Sequence, residues 1–108
     1  MQIITVKAGA VTVAVLDGRL DTVTAAGAEQ QLLGLLQEGA LVADLASVPY
    51  ISSAGLRLLL KAAKTAKGAG VSFAVCASQP PVREVFEISG FNKVIPAFAT
   101  RDEAVAGA

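Results

Sequence analysis

The stretch Ser47-Val48-Pro49-Tyr50-Ile51-Ser52-Ser53-Ala54-Gly55-Leu56-Arg57 decides the fold, because an apolar strand ends in it and an amphipathic helix begins in it. Upstream, Ala40 to Leu45 is a nearly continuous apolar run ended by Asp44 and Ser47, the pattern of a strand covered on both faces in a parallel sheet. Downstream, Leu56, Leu59, Leu60 and Ala63 recur at i, i+3, i+4 and i+7, with Arg57, Lys61 and Lys64 on the opposite side. The cationic side is read as a solvated helix face or as a surface for an acidic partner. A strand covered on both faces belongs at the centre of its sheet.

Working outward, Gln2 to Lys7 and Val11 to Asp17 are rich in valine and isoleucine and flank the short turn Ala8-Gly9-Ala10, so they are expected to form an antiparallel hairpin. Gly18-Arg19-Leu20-Asp21 closes the second strand. Asp21, Thr22 or Thr24 then caps a helix running through Leu32, Leu33 and Leu36 to Glu38, with Gly39 as its stop. Gly68 is expected to end the second helix and Gly70 to precede a strand from Val71 to Cys76. Pro80 and Pro81 suit the first turn of a third helix with Val82, Val85 and Phe86 as its apolar stripe and Gly90 as its stop. A short strand is expected around Lys93-Val94-Ile95. Thr100 and Glu103 have capping-box spacing for a last helix.

The order is β-β-α-β-α-β-α-β-α. The fold class is therefore α/β: a mixed sheet, antiparallel in its first hairpin and parallel afterwards, covered by about four helices. Residues 1–108 are expected to form a single domain, with no linker or repeat inside the chain, and 54% apolar residues are enough to bury a core without disulfides or metal. In such a sheet the loops at the carboxyl ends of the central strands share one edge. Two of them carry polar pairs, Asp21-Thr22 and Ser52-Ser53, and these are expected to lie close together.

Composition narrows the function. Nine basic residues balance nine acidic ones, so no global field steers the protein to nucleic acid or to an anionic membrane. No apolar stretch approaches the roughly 18 to 20 residues that span a bilayer, and Met1 to Lys7 lacks the features of a signal peptide, so a cytoplasmic location is expected. Histidine is absent, which removes Ser-His and Cys-His nucleophile pairs and the commonest metal ligand. A lysine base has no matched partner in the sequence. The protein is expected not to be an enzyme and to use no cofactor and no metal. Cys76 is alone in an apolar run and is expected to be a reduced packing thiol.

A hydroxyl where a helix begins sits beside unpaired backbone N–H groups and the positive end of the helix macrodipole. It therefore caps the helix, holds an anion or accepts a phosphoryl group. Periodicity does not choose between Ser52 and Ser53. Gly55 permits a close backbone approach, and Arg57 lies one turn onward, within reach of an added phosphate.

The pattern Asp44-Leu45, Val48, Ile51-Ser52-Ser53-Ala54-Gly55-Leu56, with Gly18-Arg19-Leu20-Asp21 upstream and Ser89-Gly90-Phe91 later, resembles the STAS domain, particularly the bacterial anti-sigma factor antagonists. The resemblance covers almost the whole chain. It implies a phosphorylated serine two residues before the glycine, which falls on Ser53, with Ser52 as the alternative. The residue before the target is often aspartate in that family and is Ser52 here, and the position after it is Ala54. The aspartate of the Gly-x-Leu-Asp motif matches Asp21, which is either an N-cap or a direct participant.

The resemblance further implies an edge of Asp21, Thr22, Ser52, Ala54, Gly55 and Arg57 that binds an anti-sigma factor with serine-kinase activity, thereby releasing a sigma factor. Phosphorylation would end that binding and a phosphoserine phosphatase would restore it. Two other readings use the same edge: a transporter or stress-complex scaffold that docks without obligatory phosphorylation, and a nucleotide- or anion-binding module. The last lacks a Walker or dinucleotide glycine pattern.

Overall fold

A computed structural model describes all 108 residues. Strands β1 (Gln2–Ala8) and β2 (Val11–Asp17) form the antiparallel hairpin, with Ala8 opposite Val11 and Gly9 at φ +65° in the two-residue turn. That positive φ at the first central position is what a tight hairpin turn requires and what glycine supplies without a Cβ penalty. Next come α1 (Ala25–Leu36), β3 (Leu41–Ser47), α2 (Ser53–Ala69), β4 (Phe73–Cys76), α3 (Pro80–Ser89), β5 (Ala97–Phe98) and α4 (Arg101–Ala106). The five strands lie in the order β1-β2-β3-β4-β5, with β2 to β5 parallel and β3 at the centre.

Both faces of β3 are covered, as its apolar run requires: Leu41 to Leu45 are all buried. Leu41, Ala43 and Leu45 point into the main core, which holds Leu32 and Leu36 of α1, Leu58, Leu59, Ala62 and Ala66 of α2, and Val82 and Phe86 of α3. Val42 faces the other way, into a smaller cluster with Val13, Cys76 and Ala104 of α4. Three helices thus cover one face and the short α4 covers part of the other. Asp44 also points to the α4 side, where its Oδ2 accepts a hydrogen bond from Arg101 Nε at 2.9 Å and its Oδ1 accepts one from Ala46 N–H. This buried, paired carboxylate fastens α4 to the sheet rather than ending the strand.

Four local expectations are corrected. The fully buried face of α2 is centred on Gly55, Leu58, Leu59, Ala62 and Ala66, while Leu56, Leu60 and Ala63 are only partly buried, because the helix docks with Gly55 nearest the sheet. The second helix runs through Gly68 to Ala69 and stops at Gly70, whose φ of +72° forms the left-handed cap; β4 consequently starts at Phe73. The first helix ends at Leu36, two residues before Glu38. Lys93-Val94-Ile95 is not a strand: Phe91–Lys93 is a single 3₁₀ turn, and the last strand is Ala97–Phe98. The Phe91 ring stacks on Phe86 with centroids 4.0 Å apart, and the turn that follows buries Ile95 in the main core. Packing of the aromatic pair overrides the apolar alternation there.

Candidate functional site

The carboxyl ends of β2 and β3 bring their loops together as expected. Gly18 N–H donates to Ser47 O at 3.1 Å, Leu20 N–H to Tyr50 O at 3.0 Å and Ser52 N–H to Leu20 O at 2.9 Å, so Leu20 and Ile51 form a short parallel bridge beyond the strands. Asp21 and Ser52 therefore sit at adjacent chain positions across this bridge. Gly55 completes the junction. A Cβ built on it would lie 2.5 Å from Leu20 O and 2.9 Å from Ile51 Cγ1 and Leu20 Cγ, so only a residue without a side chain lets α2 begin this close to the β2 loop.

The two serines have different jobs. Ser52 is the N-cap, in extended conformation, and its Oγ accepts from Gly55 N–H at 3.3 Å. Ser53 is the first helical residue, exposed, and its hydroxyl has no hydrogen-bond partner within the chain. The capping role falls to Ser52, which leaves Ser53 free. The Ser53 and Ala54 N–H groups of the first turn have no intrahelical acceptors and sit at the positive end of a 17-residue helix. Ser52→Ala is expected to lower stability by about 1 kcal/mol and Ser53→Ala by no more than about 0.5 kcal/mol, measured by urea unfolding.

Asp21 is a structural acceptor. Its Oδ1 accepts from Val23 N–H at 3.0 Å and Thr24 N–H at 3.2 Å, while Thr24 Oγ1 donates to Arg19 O at 2.8 Å. The carboxylate caps the turn that leads into α1; Thr24, at the helix N-cap itself, makes no side-chain cap bond. The Thr24 N–H bond holds the Asp21 carboxyl below the usual carboxylate range; desolvation opposes this only in part, and Val23 N–H, the Thr24 hydroxyl and Arg19 lower it further. Asp21 is thus anionic at neutral pH. Thr22 is exposed and its hydroxyl is unbonded. Arg57 is exposed without an acidic partner, whereas Lys61 on the same side pairs with Glu29 of α1 at 3.3 Å.

Two residues at this edge escaped the sequence reading. The Arg19 guanidinium lies 4.3 Å over the Tyr50 ring and 3.6 Å from Asp21 Oδ2, which ties the β2 loop to the β3 loop across the bridge. Arg19 was visible inside the Gly18-Arg19-Leu20-Asp21 motif and Tyr50 as an aromatic in a polar loop, but nothing in their spacing shows that they stack. Cys76 lies on the other sheet face. Burial, together with the Asp44 charge, pushes its thiol up to about 12, as suits an inert packing group.

This chain belongs to the STAS domain family, whose profile matches residues 2–104. It is similar to BtrV of Bordetella bronchiseptica, a candidate anti-sigma factor antagonist, at 37% identity over 102 residues, covering 93% of this chain and 88% of BtrV. It is also similar to the anti-sigma-F factor antagonist RsfB of Mycobacterium tuberculosis, at 33% identity over 100 residues, covering 90% of this chain and 80% of RsfB. Its backbone matches the crystal structure of an anti-sigma factor antagonist from Mycobacterium paratuberculosis with a TM-score of 0.90 at 29% identity, over 98% of this chain and 92% of that one. The expected family and mixed-sheet fold are both borne out. No helix is long and apolar enough to cross a membrane.

Proposed function

We propose that this protein is a phosphorylation-controlled antagonist of an anti-sigma factor. In the unmodified state the edge of Asp21, Thr22, Ser52, Ala54 and Arg57 binds an anti-sigma factor with serine-kinase activity, and a sigma factor is released; Gly55, expected in that edge, is buried and instead sets how closely α2 approaches it. The reading is supported by kinship with proteins named as anti-sigma factor antagonists. The observation that carries it is the exposed, unbonded hydroxyl of Ser53 beside a cap that Ser52 already fills.

The switch needs no refolding. The kinase transfers the terminal phosphoryl group of ATP to Ser53 Oγ: an O–P bond forms, the bond to the ADP oxygen breaks, and the hydroxyl proton leaves to a base on the kinase. The product carries about −1.5 to −2 charges where a small neutral hydroxyl had been. Free N–H groups at Ser53 and Ala54 and the helix dipole favour that charge by roughly 0.3 to 1 kcal/mol, so the modified protein stays folded while its partner is repelled. A phosphoserine phosphatase hydrolyses the ester and resets the edge.

The test is incubation with the cognate kinase and ATP, followed by intact-mass measurement and site mapping. One phosphate on Ser53, abolished in Ser53→Ala and retained in Ser52→Ala, is the expected result. Modification at Ser52, or none at all, overturns the assignment.

A further inference from the structure

At the end of the sheet remote from Ser53, the second half of α2, the start of β4 and the segment from the end of the 3₁₀ turn to β5 border a groove of about 740 Å³. Its lining is apolar where Leu60, Ala63, Val71 and Pro96 meet, and Val94 stands on the rim with 63% of its surface exposed. Packing accounts for buried Ile95 in that turn but not for its outward neighbour. Three of the chain's lysines border the groove: Lys64 and Lys67 on α2, spaced to share a helix face, and Lys93 on the opposite wall.

None of these three lysines has an ion-pair or hydrogen-bond partner, although Lys7 and Lys61 elsewhere are matched to Glu38 and Glu29. No acidic residue lines the groove. A chain with no net charge therefore gathers uncompensated positive charge around one apolar trough.

We propose that this groove docks an acidic amphipathic segment of a partner protein, one whose leucine-like side chains enter the trough while flanking carboxylates meet Lys64, Lys67 and Lys93. The arrangement follows a common recognition mode in which an apolar face supplies contact area and charge supplies register. Cations on both walls favour a ligand with several carboxylates. A single-headed amphiphile such as a fatty acid has one anionic end and would leave at least one wall unmatched. Exposed lysine contacts are individually weak and screened by salt, so the binding should be modest in strength and strongly salt-dependent.

The experiment uses the full chain and a fluorescein-labelled helical peptide with leucines at i, i+4 and i+7 flanked by glutamates, followed by anisotropy and amide NMR. Saturable binding is expected, with shifts concentrated at Ser72, Lys93 and Val94. Affinity should fall about tenfold or more in the Lys64→Glu/Lys67→Glu/Lys93→Glu variant, and similarly when glutamine replaces glutamate in the peptide. All three side chains are exposed, so the variant should keep the parent's circular dichroism spectrum. Absence of saturable binding, equal affinity in the triple variant, or shifts centred on the Ser53 edge would each overturn the proposal. So would displacement of the peptide by dodecanoate at comparable concentration, which would assign the groove to a simple amphiphile.

Discussion

Ser53→Asp should bind the cognate anti-sigma factor about tenfold to a hundredfold more weakly than the parent, while Ser53→Ala binds as tightly as the parent and no longer responds to kinase and ATP. The asymmetry follows from charge. Opposite one acidic side chain about 4 Å away, an effective dielectric near 20 gives about 4 kcal/mol of repulsion per unit charge pair, and solvent screening at an exposed edge removes a large part of it. What remains, about 1.4 to 2.7 kcal/mol, corresponds to the stated range. Phosphoserine carries more charge and more bulk than aspartate, so the modified protein should bind more weakly still. Alanine removes only a hydroxyl that has no partner within the chain, so it disturbs neither the cap at Ser52 nor the bridge between Leu20 and Ile51. Isothermal titration of parent, alanine and aspartate proteins against the anti-sigma factor checks this. Equal affinity for alanine and aspartate would remove Ser53 from the interface, and with it the proposed switch.

The distinction between the two serines marks where sequence reading stops. The turn from strand to helix near residue 52 was legible because hydrophobic period changes there, and the change is a property of side-chain pattern. Which serine caps is a matter of one residue's φ and ψ, since Ser52 at φ −95°, ψ 175° aims its hydroxyl at Gly55 N–H and Ser53 one position later cannot. The nearness of Asp21 to Ser52 was legible in outline from topology, because parallel strands deliver their following loops to one edge. The stacking of Arg19 on Tyr50 was not, because it depends on the residue-level register of two loops that share no repeat.

The same limit explains the misread segment at Lys93-Val94-Ile95. Apolar valine and isoleucine after a lysine look like a strand, yet the ladder to β4 is made by Pro96 O, which accepts from Val75 N–H, and by Phe98 O, which accepts from Ala77 N–H. Stacking of Phe91 on Phe86 instead accompanies a tight 3₁₀ turn over Phe91–Lys93, which keeps these residues out of the ladder. Gly68 and Gly70 pose a similar choice: both look like helix stops, but only Gly70 takes the left-handed conformation that ends α2.

Gly55→Ala is expected to be the most destabilising single-methyl change at this edge, costing about 3 kcal/mol, because the added carbon meets a backbone oxygen that cannot rotate away. Leu20 O already accepts from Ser52 N–H, and Leu20 and Ile51 are both buried, so the oxygen moves only if the bridge between the two loops moves with it. For a domain near 100 residues this cost corresponds to a fall of roughly 12 to 20 °C in Tm. Gly34→Ala supplies the control. Gly34 lies in α1 with open space around it and no positive φ, so alanine there should stabilise by about 0.5 to 1 kcal/mol through helix propensity alone. Opposite signs for the same chemical change would assign the Gly55 effect to crowding rather than to glycine content. If instead Gly55→Ala melts with the parent, α2 must have slid outward by at least about half an ångström to relieve the 2.5 Å contact with Leu20 O. The Ser52 N–H would then lose its bond to Leu20 O and exchange faster with solvent. Because Ser53 rides on the same first turn, that displacement would also move the proposed phosphoacceptor relative to the β2 loop. The close approach at Gly55 is thus what couples packing at the sheet edge to the position of the Ser53 hydroxyl.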